Sequence, residues 1–188
     1  MKIVLYTGYQ ETPWNSTSLA KTGLGGTEQC VLYLSRHLAS YPGNQVWVVG
    51  DVIEGDCDGI KYRKTQTFKN EVDSVDTIIA ASYIHYLKEF EDFDYKNSIF
   101  WVHNTDYFNW WKGSEIKDHR KLLNHPKLSH IVCLTYWHQE KFTEQFPEVL
   151  GKTIVIGNGI ERDNLVDVWS KPKITQGRLF PGEDYIKN

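Results

Sequence analysis

The chain has 188 residues, a length that predicts one domain with a short appendage. Its 21 basic and 24 acidic residues give a formal net charge of −3, which argues against a general nucleic-acid-binding protein because such proteins carry a basic excess. No apolar run approaches the roughly 20 residues of a transmembrane helix, and three cysteines without a CxxC pair argue against a disulfide framework. We therefore expect a globular protein of the reducing cytoplasm, without a transmembrane segment and without nucleic acid as a partner.

Strands and helices alternate along the first 160 residues of the sequence. The predicted strands are continuous apolar runs, and the first predicted helix carries Val31, Leu34 and Leu38 on one face. The polar segments 8–26 and 51–59 are predicted to be loops. In chain order we predict a strand at 2–7, a helix at 27–40, strands at 45–50, 60–63 and 76–81, a helix at 82–90, a strand at 98–103, a helix at 114–123, a strand at 130–134, a helix at 135–146 and a strand at 152–156.

This alternation is typical of βαβ units. A parallel sheet is covered by helices on both faces, so its strands are apolar throughout. The sequence predicts an α/β fold with a Rossmann-like, doubly wound, mostly parallel sheet over residues 1–165, followed by a C-terminal tail over 166–188. Ligands of such sheets bind at the carboxyl ends of the strands, which directs attention to the segments 8–26, 103–111 and 157–159.

The glycine-rich segment 23–28 opens the first predicted helix. Unpaired N–H groups at a helix N-terminus attract anions, and glycine lets a phosphate approach the backbone. Gly25, Gly26, Thr27 and Glu28 are therefore candidate binding residues, although a plain glycine turn explains the pattern equally well. Because Glu28 would repel a phosphate, we expect a sugar hydroxyl or only the edge of a diphosphate here. Glu28 also stands where the dinucleotide fingerprint needs its third glycine.

His103 and Asn104 follow a predicted strand. A side chain at such a strand end projects into the ligand crevice, and histidine changes charge near neutral pH. His103 is thus a candidate catalytic residue and Asn104 a candidate binding residue, with a histidine that only caps the strand as the alternative. In the aromatic run 107–111, Trp110 and Trp111 are weaker candidates for stacking on an acceptor sugar, with a lid over the core as the alternative.

Three acidic patterns match metal or nucleotide-sugar motifs. Asp56-Cys57-Asp58 and Asp92-Phe93-Asp94 fit DxD, and Glu140 with Glu148 fits ExxxxxxxE. Two-acid spacings arise often by chance in acidic loops, and Pro147 breaks any helix shared by the two glutamates. We predict no metal site from these residues.

Four segments in this order carry a family resemblance: the Gly-Gly-Thr-Glu helix start at 25–28, the strand end Val102-His103-Asn104, the segment 132–135 and the turn at 156–160. Together they resemble the N-terminal half of retaining glycosyltransferases of the GT-B fold, the group-1 or family-4 type. The resemblance covers residues 1–172. Gly157 stands where that family usually has proline, so the turn is matched in part.

The resemblance implies transfer of a hexosyl unit from a nucleotide sugar, a UDP- or GDP-sugar, to an acceptor with retention of the anomeric configuration. It implies no cofactor beyond this donor substrate. His103 would contact the donor sugar, and Gly25 and Gly26 would face the donor diphosphate and the acceptor. By the same comparison, Thr135 and Asn158-Gly159 are candidate binding residues of the same cleft. Positioning and electrostatic stabilisation would then dominate catalysis.

Enzymes of this kind have two Rossmann-like domains and bind the donor mainly through the second. We therefore expect activity to require a C-terminal domain or a second chain, and this chain alone to bind donor poorly. Two alternatives stay open. One is a non-catalytic partner module of a split glycosyltransferase, and the other is an unrelated Rossmann-like nucleotide-binding enzyme.

Overall fold

The computed structural model describes residues 1–105 and 116–159, with side chains at 1–105 and 118–159. Within these residues a single sheet contains eight strands. They are β1 (Lys2–Gly8), β2 (Gln45–Gly50), β3 (Gly55–Cys57), β4 (Ile60–Arg63), β5 (Ser74–Ala81), β6 (Asp94–Trp101), β7 (Leu128–Cys133) and β8 (Thr153–Val155).

Helices connect most of these strands. Across residues 1–105 and 116–159, no helix has the length and apolar character needed to cross a bilayer. The helices are α1 (Ser18–Lys21), α2 (Gly26–Ser40), α3 (Thr65–Glu71), α4 (Tyr86–Glu89), α5 (Ile116–Leu123) and α6 (Tyr136–Gln145), with a 3₁₀ helix at Pro147–Lys152.

The strand order is β3-β4-β2-β1-β5-β6-β7-β8, and every neighbouring pair is parallel except β3 with β4. The chain proceeds from β1 to β2 in one direction and from β5 to β8 in the other. The order therefore reverses between β1 and β5, which is the topological switch point of a doubly wound sheet. The predicted Rossmann-like α/β fold is confirmed.

Both faces of the sheet are buried. Successive residues of each strand point to opposite sides, so each strand contributes to two cores. Val4 and Tyr6 of β1 lie in a core with residues from α3, α4, α5 and α6. Ile3 and Leu5 lie in a second core, with Val31 of α2. Burial on both sides explains why the strands read as continuous apolar runs instead of alternating ones.

The β3–β4 hairpin corrects the prediction of a loop over 51–59. Gly55–Cys57 pairs antiparallel with β4, and Asp58 and Gly59 connect the two strands. Their φ angles of 54° and 74° are both in the left-handed region, as a tight two-residue hairpin turn requires. The Asp-Gly pair is the sequence signal for this hairpin.

The acidic motif Asp56-Cys57-Asp58 lies in the same hairpin, where both carboxylates form ion pairs. Asp56 lies 2.8 Å from Nη1 of Arg63. Asp58 accepts hydrogen bonds from Nε and Nη2 of Arg36, at 3.0 and 2.8 Å. Arg63 also binds Glu71 at the end of α3. These contacts attach the edge hairpin to α2 and α3 and account for the two acidic residues locally.

Other predictions differ in their bounds. Strand β6 extends from Asp94 to Trp101 instead of over 98–103, since its ladder with β5 begins at Ser74. His103 therefore lies two residues beyond the strand. In the predicted helix 82–90 only α4 is helical, because Ser82 has a φ of 65°. Helix α3 was not predicted, whereas β2 and β4 have the predicted bounds.

A close approach at the switch point requires glycine at position 8. Gly8 ends β1 with a φ of 61°, and a Cβ atom there would lie 2.4 Å from Cγ of Tyr83. The Tyr83 hydroxyl donates to the carbonyl oxygen of Tyr9 at 2.5 Å. The Tyr83 ring thus lies across the end of β1, in space that only glycine leaves open.

Replacing Gly8 with alanine is expected to destabilise the fold. The positive φ alone costs about 1–3 kcal/mol, and overlap with the Tyr83 ring adds to this cost. Urea unfolding measures the free energy of unfolding. Gly151→Ala is the matched control, because nothing lies within 4 Å of a Cβ atom there and its φ is not in the left-handed range. Equal effects of the two substitutions would contradict the role of Gly8.

Candidate functional site

The candidate site forms where β6, β7 and β8 end side by side. His103 and Asn104 follow β6, Thr135 follows β7, and Asn158-Gly159 follows β8. Parallel pairing places these strand ends at one edge, with Trp101 opposite Val132 and Cys133 opposite Val155. Asn104, Thr135, Asn158 and Gly159 are exposed there. The structure therefore brings these predicted residues to the same carboxyl edge of the sheet.

His103 is held against Trp101. Their ring centroids lie 4.4 Å apart at an interplanar angle of 55°. Burial, first, and the nearby His138, second, together lower the pKa of His103 to about 4. The ring is therefore neutral at pH 7. Its Nε2 atom is buried without a hydrogen-bond partner among the described residues.

His138 links the chain after β6 to the chain after β7, and sequence reasoning missed it. Its Nδ1 accepts from the backbone N–H of Leu134 at 3.2 Å, and its Nε2 lies 3.0 Å from the carbonyl oxygen of Asn104. Thr135 is the N-cap of α6, and its hydroxyl accepts from the backbone N–H of His138 at 3.0 Å. The sequence showed only one more scattered histidine, because both ring contacts are tertiary.

The Gly25–Glu28 segment begins α2 one residue earlier than predicted, with Gly25 as N-cap and Gly26 as first helical residue. The Glu28 side chain folds back toward this N-terminus. A Cβ atom added to Gly25 would lie only 2.3 Å from the Oε2 atom of Glu28. Nothing lies within 4 Å of a Cβ at Gly26, so that side is open. The carboxylate of Glu28 thus lies close to the N-terminus of α2, where its negative charge disfavours a phosphate relative to a hydroxyl as the ligand group.

A cavity of about 490 Å³ lies at the topological switch point. Its lining includes Tyr9, Asp51, Tyr83, His85 and Lys88. We call it the switch-point cavity. Burial and, second, the neighbouring His119 lower the pKa of His85 to about 4. Sequence reasoning missed this cavity because its residues come from distant segments and form no motif.

A larger cavity of about 680 Å³ runs along the sheet face beside α2. Among the described residues it is lined mainly by apolar groups, including Ile79, Ile99, Trp101 and Val132, and by Gly159 of the predicted site residues. Most of the predicted residues lie instead at the carboxyl edge, which is therefore the candidate site.

Two predicted residues, Trp110 and Trp111, lie outside the described residues. Within the part of the chain that the structure describes, no group of three or more histidine, cysteine, aspartate or glutamate side chains is arranged to hold a metal ion. Glu140 lies on α6, whereas Glu148 lies in the following 3₁₀ helix and pairs with Arg120.

Comparison with solved structures finds the crystal structure of HepE (Alr3699) from Anabaena in complex with UDP-glucose. It has a TM-score of 0.53 and 12% sequence identity, and the match covers 85% of this chain and 44% of that chain. Complexes of the same protein with UDP, and with UDP and glucose, match with TM-scores of 0.49 and 0.48 at 13% identity. No protein-family model and no curated protein matches the chain.

The chain thus spans less than half of the HepE chain. At 12% identity the likeness establishes the fold: a Rossmann-like α/β domain of the kind that forms one half of a GT-B protein. The dinucleotide-binding alternative needs a tight turn between the first strand and its helix. Here the segment 9–25 separates β1 from α2 and includes α1, so the turn required for that fingerprint is not present at this position.

His103 is expected to make the protein less stable in acid. Unfolded histidine takes up a proton near pH 6.5, whereas folded His103 does so near pH 4, so the unfolded state binds more protons in between. The free energy of unfolding should therefore fall as pH decreases from about 6.5 to about 4. His103→Gln should flatten this dependence in urea unfolding, whereas His130→Gln, at an exposed site on β7, should not. An unchanged slope in the His103 variant would contradict the buried neutral ring.

Thr135 is expected to stabilise the start of α6. Thr135→Ala removes the oxygen that accepts from the His138 N–H and should lower the free energy of unfolding by about 1 kcal/mol. Thr135→Ser keeps that oxygen and should retain most of the stability. Thermal and urea unfolding measure both. Equal losses in the two variants would show that the methyl group, and not the cap, carries the effect.

Proposed function

We propose that this chain is the N-terminal, acceptor-side domain of a GT-B glycosyltransferase. The reaction is transfer of a hexosyl unit from a UDP- or GDP-sugar with retention of configuration, as in the family-4 enzymes that the sequence resembles. The observation that carries the proposal is the position of His103 at the carboxyl edge of the sheet, neutral and with a ring nitrogen that no described residue satisfies. The fold likeness to HepE, whose crystals contain UDP-glucose, supports it.

His103 would act as a neutral hydrogen-bonding group. An unpaired buried nitrogen costs about 1–3 kcal/mol, and a ligand that supplies its partner recovers that cost on binding. A hydroxyl of the donor sugar is such a partner, because it both donates and accepts. Since the ring carries no charge at pH 7, it orients the sugar and does not neutralise the diphosphate.

The diphosphate would be held mainly by the second domain. In the transfer the bond between C1 of the sugar and the diphosphate oxygen breaks, and the diphosphate leaves with the electron pair. The acceptor oxygen bonds to C1 on the same face, and its proton passes to the departing diphosphate oxygen. The negative charge that builds up on the leaving group would be repelled by Glu28, which lies over the N-terminus of α2. We therefore assign the Gly25–Glu28 segment to hydroxyl groups.

The switch-point cavity is our candidate site for the acceptor. It lies at the crevice where open α/β sheets bind ligands, and its volume of about 490 Å³ suits a sugar-sized group. Asp51, Tyr9 and Lys88 bring both hydrogen-bond acceptors and donors to its wall. A hydroxylated acceptor matches this mixture better than an apolar one does.

A non-catalytic partner module is the second candidate function. The observation in its favour is that Tyr136, Trp137 and Ile156, large apolar residues just beyond β7 and β8, are exposed. Such a module would keep the carboxyl edge as a docking surface for a catalytic chain and would not itself contact the donor.

Binding of the donor is tested by NMR with the ¹⁵N-labelled 188-residue chain, since this method detects weak binding. Millimolar UDP-glucose should shift the amide signals of His103, Asn104 and Asn158-Gly159, and leave those of Gly43 at the opposite edge unchanged. GDP-mannose and NAD⁺ are the competing ligands in parallel titrations. His103→Gln should weaken the shifts several-fold, and His130→Gln should not.

Shifts with either nucleotide sugar at the carboxyl edge, and none with NAD⁺, are the expected result. Shifts with NAD⁺ alone would favour the unrelated nucleotide-binding enzyme. If neither nucleotide sugar shifts these signals even at 10 mM, direct donor binding by this chain is wrong and the partner module is favoured.

A further inference from the structure

We infer that His138 is a positioning residue for His103. It fixes the backbone that follows His103 by a hydrogen bond to the Asn104 carbonyl, and so sets where the His103 ring lies. Its importance for catalysis rests on the function proposed above, but the contact itself does not.

The His138 ring bridges two strand ends. Its Nδ1 atom accepts from the N–H of Leu134 after β7, at 3.2 Å. Because Nδ1 accepts, the proton of the neutral ring is on Nε2, which donates to the Asn104 carbonyl oxygen after β6, at 3.0 Å. His138 is 4% exposed, and both bonds are partly buried. A buried, satisfied polar group of this kind holds its partners in one geometry.

The first turn of α6 fixes the ring itself. Thr135 caps the helix by accepting from the backbone N–H of His138, at 3.0 Å. The backbone of His138 is therefore held by the cap, while its ring is held by Leu134 and Asn104. The position of the Asn104 carbonyl thus depends on where α6 begins.

His103 is then constrained from two directions. The Trp101 ring packs against its imidazole at 4.4 Å between centroids. The anchored carbonyl of Asn104, the next residue, restricts the backbone on the other side.

Conservative test variants can be chosen by the number of covalent bonds between Cβ and the hydrogen-bonding atom of each side chain. The amide nitrogen of glutamine is three bonds from Cβ, as is imidazole Nε2, so His138→Gln can keep the donor to Asn104. The amide oxygen of asparagine is two bonds from Cβ, as is Nδ1, so His138→Asn keeps the acceptor for Leu134 and loses the donor. His138→Ala loses both, and His130→Gln on the exposed part of β7 is the matched control.

The experiment records the ¹H–¹⁵N imidazole spectrum of the full chain across pH 4–8, together with the melting temperature. We expect the His103 resonances to change in His138→Asn and His138→Ala, and to stay near the original values in His138→Gln and His130→Gln. The inference is overturned if the His103 resonances are unchanged in His138→Asn. It is also overturned if glutamine and asparagine change them alike, since a residue that only fills space would give that pattern.

UDP-glucose titration separates this inference from the proposed function. If the donor binds, His138→Asn should weaken its affinity several-fold, and His138→Gln should restore it. If the original chain does not bind the donor but its His103 resonances follow the pattern above, the proposed function fails and the positioning role stands. Should His138→Ala fail to fold, the glutamine and asparagine variants still decide.

Discussion

Parallel pairing of β5 to β8 is the constraint on which the rest of the structure depends. Parallel strands all end at the same edge, about 4.8 Å from their neighbours, so any residue just beyond a strand end meets those of the next strands. Each return to the opposite edge requires a crossover, and α4, α5 and α6 provide these on one face. His103, Thr135 and Asn158 are far apart in the sequence and become neighbours for this reason alone.

The sheet could be predicted because its strands are recognisable as runs of apolar residues in the sequence. Runs such as Val46–Val49 are apolar throughout, which indicates burial on both faces. Helix α3 carries Phe68 as its one fully buried residue, so it lacks the periodic apolar face by which a helix is found. The β3–β4 hairpin was missed for another reason: its signal was the Asp58-Gly59 turn, in a segment too charged to resemble a strand.

The location of the candidate residues at the carboxyl edge could be predicted, whereas their local chemistry could not. His103 follows from the rule that ligands bind at carboxyl ends, which needs only the strand boundaries. The neutral state of His103 depends on burial and on the His138 ring. Both are tertiary features, so they cannot be predicted from the sequence. The role of Glu28 could be predicted in part. The sequence indicates its conflict with a phosphate, but only the structure shows its carboxylate lying over Gly25. The switch-point cavity draws on segments that share no motif, so only the fold assembles it.

The two edges of the sheet have a consequence for solubility. An edge strand presents unpaired N–H and C=O groups, onto which another chain can add a strand. Here β3 is three residues long and carries an aspartate in an ion pair, which leaves a short and charged template. Strand β8 is also three residues long, and within the described residues it pairs only with β7. Ile154 and Ile156 are partly exposed beside it. Within the described residues, the short strands at both edges therefore limit aggregation through strand addition, where the apolar side chains at β8 would otherwise favour it.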